Sequence, residues 1–455
     1  MSKSHSLAGD NCVISETDFA NIMHKFGPFS SAPRVAVGVS GGADSMTLAM
    51  LTNRWAVKRG GQAIGLTVDH SLRPDSKKEA MQVKSWLSEI KMPHRILCWN
   101  EANKSNSGIQ KSAREARLRL MCEWCRKQGY INLLLAHHQD DQAETFMLRL
   151  AAGSGVDGLA SMPRSRLTGL SEGGRIRLLR PFLHLPAINL KNTLNSLGYS
   201  WVEDPSNNDS RFTRVRLRNS SEILGREGLT AGRIALVANR MGRDRSALHA
   251  QVACFLADNA VLAASGFVTL SGMPWREVSD SVLTRAIYRI ISTVSGSVLP
   301  PKLRSIERLV KNMRESKFDG RPTLGGCQFI QKEKINSFLV VREAGRIKDE
   351  IDISPGDTVR WDGRFTVSLA SDSKEKGKIR KINQSDIHFL KINKSNADNS
   401  KGILTSPHVI RRSLPVLGGV DGSVKIPHLS YEHKGNGLSA FFEPSLPLCE
   451  TAFEV

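Results

Sequence analysis

Apolar and polar positions over the first half of the chain form a repeating pattern. Short apolar runs alternate with longer stretches of helical periodicity. The run Val35–Ser40 (VAVGVS) predicts a buried strand, and Asp44–Lys58 after it a helix. The pattern repeats as strand Ala63–Asp69, helix Lys77–Ile90, strand His94–Trp99, helix Ser112–Lys127, strand Asn132–Ala136 and helix Asp140–Ala151. Strands joined through whole helices run parallel, so this region is expected to be α/β, with helices on both faces of a parallel sheet. Residues 153–174 are rich in Gly and Ser and read as a long loop. Ile176–Leu179 predicts another strand, and Pro186–Leu197 a helix opened by its proline. Residues 1–30 are polar and read as a tail with one short helix.

Past Arg218 the pattern changes. Helical spacing covers Arg233–Ala264, Ser279–Ile291 and Lys302–Met313. After Arg321 come short strand-like runs, TLGGCQFI, FLVVRE, DTVRW and FTVSLA. Residues 371–402 are basic and polar, the composition of a loop-rich stretch or linker. The expected architecture is thus an N-terminal parallel-sheet domain, a mainly helical region and a β-rich C-terminal region. A chain of 455 residues has room for them.

Charge adds what the pattern cannot. With 64 Lys+Arg against 44 Asp+Glu, the net charge of +20 points to a polyanionic partner, nucleic acid before an anionic membrane surface. Nine arginines fall between Arg211 and Arg245. Aromatics make up only 6%, which argues against a broad base-stacking surface. No run approaches the 18 apolar residues of a membrane span, and MSKSHSLAGDNCVISE lacks a signal peptide's apolar core. No membrane association is expected. Seven scattered cysteines make no disulfide framework and read as reduced thiols of a cytoplasmic protein.

The clearest chemical signal is Ser40-Gly41-Gly42-Ala43-Asp44-Ser45, where the first strand turns into the first helix. Glycines let backbone approach an anion, and a helix N-terminus adds unpaired N–H groups and the positive end of its dipole. Ser40 and Ser45 can donate hydroxyl bonds, while Asp44 can hold Mg²⁺ or cap the helix. This phosphate cradle lacks the Gly-Lys-Ser/Thr ending of a Walker A loop and is no G-x-G-x-x-G fingerprint. The second signal, His137-His138-Gln-Asp140-Asp141-Gln-Ala-Glu144-Thr145, follows the NLLLA strand. Helical spacing puts Asp140 and Asp141 on one side with Glu144. Carboxylates this close need a cation among them, Mg²⁺ or a ligand ammonium. An acidic helix start alone would account for the carboxylates but not for the two histidines. Val68–Ser76 (VDHSLRPDS) also ends a strand, and Ala113–Arg117 (AREAR) sets Arg114 and Arg117 three apart on a helix. Those arginines suit a phosphate or a nucleic-acid backbone, although charge patterning alone favours a solvated helix face.

Taken in order, these segments resemble the PP-loop ATP pyrophosphatases and, within them, the tRNA(Ile)-lysidine synthetases. The resemblance rests on SGGADS, VDHSLRPDS, AREAR, AHHQDDQAET, RLAAGSGVDGL and EDPSNND and covers about residues 34–218, weakening as far as TLGGCQFI. It departs at Ala152, where the family often has Arg, and at Val215, where Asn is common. It implies that ATP adenylates the C2 oxygen of the wobble cytidine in a CAU-anticodon isoleucine tRNA. The amine of free L-lysine then attacks C2 and expels AMP. By the same resemblance, ATP is held by Ser40, Gly41, Gly42, Ala43, Asp44 and Ser45 with Asp69, His70, His137 and His138. Mg²⁺ falls to Asp44 with Asp140, and lysine to Asp141 and Glu144. Asp44, Arg114, Asp141 and Glu144 are the expected catalytic residues, and Arg73, Arg117, Arg211, Arg214, Arg216 and Arg218 the expected tRNA contacts. The implied organisation is a polar tail (1–30), a catalytic PP-loop domain (31–218), a helical tRNA-binding domain (219–320) and a β-rich region (321–455) on the acceptor arm. A homodimer is left open.

Two other readings compete. Cys122-Glu-Trp-Cys125 is a C-x-x-C pair of the kind found in tRNA 2-thiocytidine enzymes with an iron–sulfur cluster, but two ligands do not close a metal site. The pair sits at helical spacing, where buried cysteine is common. A nonenzymatic RNA-binding protein would explain the charge, but not the retained SGGADS and HHQDDQAET.

Overall fold

In a computed structural model of the chain, the described residues are 12–69, 76–99, 109–169, 172–203, 209–211, 213–272, 274–297, 301–315, 318, 320–332, 336–386, 407–419, 424–427 and 437–449. They fall into two compact units, one reaching Ala247 and the other spanning Leu248–Thr451.

In the first unit, helix α1 (Glu16–His24) leads into β1 (Arg34–Gly38), α2 (Ala43–Lys58), β2 (Gln62–Asp69), α3 (Ser76–Glu89), β3 (His94–Cys98), α4 (Ile109–Lys127), β4 (Asn132–Leu134) and α5 (Gln139–Ala151). Then come α6 (Val156–Leu159), β5 (Ser165–Leu167), β6 (Arg177–Leu179), α7 (Ala187–Ser196), α8 (Thr213–Asn219), α9 (Ser221–Arg226) and α10 (Ala231–Asn259), whose residues from Leu248 on belong to the second unit. The strands form one sheet in the order β3-β2-β1-β4-β6-β5, parallel except for the edge strand β5. Strand β1 shows why its sequence is apolar after Arg34. Val35 and Val37 enter one core with Leu48, Leu87 and Leu190, while Ala36 enters another with Met121, Cys122 and Leu178. A parallel strand covered on both faces has no polar side to alternate with.

Two expectations are corrected here. From Ile14 on, the stretch expected as a polar tail is part of the core: Phe19 and Met23 of α1 and the following Phe26 are buried against Phe182 and the α2 side of the sheet. Ser15 caps α1, accepting from the Asp18 N–H while Asp18 accepts from the Ser15 N–H. The stretch 153–174 is not one loop, because it contains α6 and β5.

The second unit mixes the helices and strands that the sequence separates. Strands β7 (Ala260–Leu262), β8 (Val268–Ser271), β9 (Thr323–Leu324), β10 (Cys327–Lys332) and β11 (Ser337–Arg342) form one antiparallel sheet in the order β7-β8-β11-β10-β9. Helices α11 (Asp280–Ser295) and α12 (Leu303–Arg314) share its core through Leu283, Ile287, Ile290, Leu309, Phe329 and Phe338. A sheet that pairs β8 with β11 leaves no seam at residue 320. The helix expected to reach Ala264 ends at Asn259, where β7 begins. Smaller antiparallel sheets follow, enclosing a core of Trp361, Phe365, Val367, Ile379 and Val416. One of their strands, Gly377–Lys381, lies inside the stretch expected as linker. Among the described residues no helix is long and apolar enough to cross a membrane.

The seam expected at residue 218 is displaced for a physical reason. Ile234 and Ala238 of α10 are buried against Ala143 and Phe146 of α5. A chain ended at 218 strips that cover from α5. Its unfolding is expected to lose a sharp thermal transition, while a chain ended at 259 keeps one. Melting curves of the two shortened chains check this, and equal transitions would show that α10 is dispensable to the first unit.

Candidate functional site

The chain builds outward from β1 to β2 and β3, then returns to lay β4 on the other side of β1. At such a reversal the loops after β1 and β4 diverge from the C-terminal edge of the sheet and leave a crevice, the place where open α/β sheets bind ligands. The two motifs legible in the sequence are those loops.

On one side, Gly41 adopts φ +92°, the left-handed region that favours glycine. A Cβ there would come within 2.9 Å of the Val83 Cγ2. Its carbonyl accepts from the Val202 N–H at 2.9 Å, which ties the turn to the segment that follows α7. Gly42 is the N-cap of α2 and brings no side chain to the helix end, so the first-turn amides are left for a ligand. Ser45 stiffens the turn: its Oγ accepts from the Ser40 N–H at 3.1 Å and donates to the Gly42 carbonyl at 3.0 Å. The Ser40 Oγ lies 3.2 Å from the Ser45 Oγ.

On the other side, α5 opens at His138, whose N–H donates to Asp141 Oδ2 at 3.1 Å. The imidazole is buried among three carboxylates: Nε2 lies 3.6 Å from Asp44 Oδ2 and 3.5 Å from Asp141 Oδ2, and Nδ1 lies 3.4 Å from Asp140 Oδ2. These are ion-pair contacts, long for hydrogen bonds. Burial would lower this histidine's pKa, but Asp140, Asp44 and Asp141 overcome it and raise it to about 10. The imidazolium is thus a cation of the acidic cluster, and it joins the SGGADS turn to the HHQDDQAET helix. Asp140 also accepts from the Ala187 N–H at 3.0 Å, capping α7.

Glu144 is buried and paired in a way no local pattern shows. Its Oε1 accepts from Arg218 Nε at 3.0 Å and Nη2 at 2.7 Å, and its Oε2 lies 3.5 Å from Arg214 Nη1. Arg214 also approaches Asp141 at 3.8 Å and donates to Thr145 Oγ1 at 3.2 Å. Arg214 and Arg218 stand four apart on α8 and so face α5 together. Arg114 is exposed on α4 within electrostatic reach of Arg214 and Asp141, and Arg117 is half-buried beside it.

The structure therefore brings together Asp44, His138, Asp140, Asp141, Glu144, Arg214 and Arg218. Asp69 ends β2 buried, accepting from Ser76 Oγ at 2.8 Å. Arg211 is exposed and paired with Asp209, and Arg216 folds back onto the carbonyls of Ser210 and Arg211. His70 and Arg73 lie outside the described residues. Sequence reasoning passed over Arg180, which follows β6 at the same sheet edge and donates to His137 Nδ1 at 3.3 Å. Its signal was available, an arginine directly after an apolar strand.

Cys122 and Cys125 pack in the core beneath the sheet with Leu133 and Leu178, and burial pushes both thiols up to about 12. A cluster ligand must be a thiolate, so this pair favours packing. Alkylation of the native protein at pH 8 is expected to label the exposed Cys98, Cys254 and Cys449 and spare Cys122, Cys125 and Cys327 until denaturant is added. Mass spectrometry checks it, and rapid native labelling of Cys122 or Cys125 would contradict this burial.

A PP-loop domain family matches residues 13–223. The chain is 35% identical to the tRNA(Ile)-lysidine synthase of Rhodopseudomonas palustris over 68% of its own length and 87% of that protein's. It is 32% identical to the tRNA(Ile)-lysidine synthase of Wolbachia pipientis wMel, over 77% and 80%. The enzyme of that name from Orientia tsutsugamushi matches at 28% identity over 95% of this chain and 98% of its own. The chain belongs to the tRNA(Ile)-lysidine synthase family.

Within the chain the two departures from the family pattern sit differently. Ala152 is exposed at the C-terminal end of α5, and Val215 is buried in α8 between the arginines that reach Glu144. Among the described residues no group of three or more His, Cys, Asp and Glu could hold a metal ion by itself. Asp44 Oδ1, however, is buried with no hydrogen-bond partner. A bare carboxylate oxygen beside a phosphate cradle suits Mg²⁺, which keeps waters and substrate phosphates in its shell and takes one or two carboxylates from protein.

Proposed function

We propose that this chain ligates free L-lysine to C2 of the wobble cytidine of a CAU-anticodon isoleucine tRNA, with ATP as activating substrate. It is then a carbon–nitrogen bond-forming ligase, and the product reads A instead of G. The observation that carries this reading is the meeting of the SGGADS turn and the acidic start of α5 across the crevice, with His138 between them. A pyridone-like carbonyl oxygen is a poor leaving group, and adenylation makes it a good one.

The first-turn amides of α2, with the Ser40 hydroxyl, bind the pyrophosphate that leaves ATP, and Ser45, whose hydroxyl is given to the Gly42 carbonyl, holds the turn in shape for it. Asp44 would hold Mg²⁺, which when bound offsets charge on the phosphates during transfer. Asp140, whose Oδ2 accepts from Ala187 and faces His138, would add its charge to that position. Lysine arrives as an ammonium of pKa about 10.4 and must lose a proton before it attacks. Asp141 and Glu144 receive it. Supporting this, Glu144 Oε2 is buried with no hydrogen-bond partner although Arg218 saturates Oε1. Arg114 and Arg117 orient the adenylated cytidine. Exposed arginines 211 and 216, with those of α10, add phosphate contacts, so affinity for tRNA falls steeply with salt. The second unit supplies contacts far from the anticodon, needed because methionine tRNAs share CAU.

The test is AMP release from ATP with an isoleucine CAU transcript, with and without lysine, against a methionine tRNA control. AMP formed only with lysine and the isoleucine tRNA supports the reading. Pyrophosphate with no lysine-dependent AMP would move the activity to another nucleophile.

A further inference from the structure

Strands β4 and β6 are parallel neighbours in the register Leu134↔Leu179, and the Leu135 N–H donates to the Leu179 carbonyl at 2.9 Å. The chain therefore leaves both strands side by side at the C-terminal edge of the sheet, which sets Arg180 against His137. Arg180 is buried, yet among the described residues its side chain donates to a ring nitrogen and a carbonyl rather than to a carboxylate. No direct ion pair among the described residues offsets this buried charge, although Glu172 lies within electrostatic reach, and burying a charge is costly in general. Its three contacts point one way. Nε donates to His137 Nδ1 at 3.3 Å, Nη1 to the Pro163 carbonyl at 2.7 Å, and its backbone N–H to the Arg164 carbonyl at 2.9 Å. The same segment is gripped from α5, where Gln142 both donates to the Met162 carbonyl and accepts from its N–H at 2.9 Å.

A guanidinium only donates, so the His137 Nδ1 must offer its lone pair and the ring proton sits on Nε2. We propose that Arg180 is a positioning residue for the reaction: it locks His137 as an Nε2–H donor to an oxygen of the adenylated substrate and ties that ring to residues 162–164. The inference rests on the lysidine-forming reading. The groups facing His137 agree with it. Burial, then Arg180, Arg114, Arg117 and His138, holds His137 well below the usual histidine range. The ring therefore stays a neutral donor at physiological pH.

Arg180→Met and Arg180→Gln in the full chain test this, Gln keeping an N–H that can reach Nδ1. The expected result for R180M is a loss of about 10–100-fold in the kcat of pyrophosphate release, the range typical of removing such an orienting partner. The KM for ATP is expected to change by less than about threefold, since the phosphate cradle is untouched. The His137 imidazole ¹⁵N signals, assigned with H137Q, are expected to lose their single Nε2–H tautomer in R180M and to keep it in R180Q, which regains most of the kcat. Wild-type kcat in R180M overturns the proposal. So does an equal loss in both variants that follows a fall in Tm with the His137 signals unchanged, which is a merely structural role. If the wild-type chain releases no AMP with lysine and tRNA, the reaction reading falls. The His137 tautomer, read without substrate, then still upholds or overturns Arg180's hold on the ring.

Discussion

Asp44→Asn is expected to lower pyrophosphate release by about 10²–10³-fold, the cost typical of removing one preorganised charge from a transition state. The substitution keeps the shape of the side chain and the α2 N-terminus, so nucleotide can still meet the cradle. What goes is the charge. Asp44 carries one oxygen toward His138 at 3.6 Å and one buried oxygen with no partner. An amide can neither pair with the imidazolium nor hold Mg²⁺ with comparable strength. The measurement is pyrophosphate release at saturating ATP and tRNA, beside filter binding of tRNA, which is expected to stay near the wild-type value. Release within threefold of wild type would remove Asp44 from the chemistry. Loss of tRNA binding in parallel would make the defect one of folding.

How much of this was legible in the chain depends on where each residue's partners lie. The strand VAVGVS was legible because both its faces are buried, leaving an unbroken apolar run. The SGGADS turn was legible because glycine, hydroxyl and carboxylate at a strand–helix junction are chemistry with local geometry. Helix α1 was hidden for the opposite reason: its buried Phe19 and Met23, with Phe26 beyond, are spaced at i, i+4 and i+7 among polar residues. Strand Gly377–Lys381 was hidden because of its five residues only Ile379 is buried, while lysines and an arginine flank it. In the site, the sequence placed Asp140, Asp141 and Glu144 together and left open what neutralises them. The answer came partly from His138, in the motif itself, and partly from Arg214 and Arg218. Those two arginines read as tRNA contacts, and Arg218 lies 74 residues from the glutamate it pairs with. Pairing at that range is set by the packing of α8 on α5, and no periodicity carries it.

That pairing shapes the second large effect, at Glu144. Glu144→Gln is expected to raise the apparent KM for lysine by about 30-fold or more, the scale of losing one charged partner of an ammonium. It also leaves Arg214 and Arg218 without their carboxylate. Breaking a fully buried pair costs about 3–5 kcal/mol, but Arg218 is 49% exposed and Arg214 33%, so water screens both and a loss of about 1–2 kcal/mol is expected. A single variant therefore confounds two roles. The double variant Glu144→Gln with Arg218→Gln separates them, because it removes the stranded cation along with the acid. Stability is expected to recover in the double variant, by urea unfolding, while the lysine requirement stays raised. If lysine use returns along with stability, Glu144 serves only to anchor α8, and the ammonium must be met by Asp141.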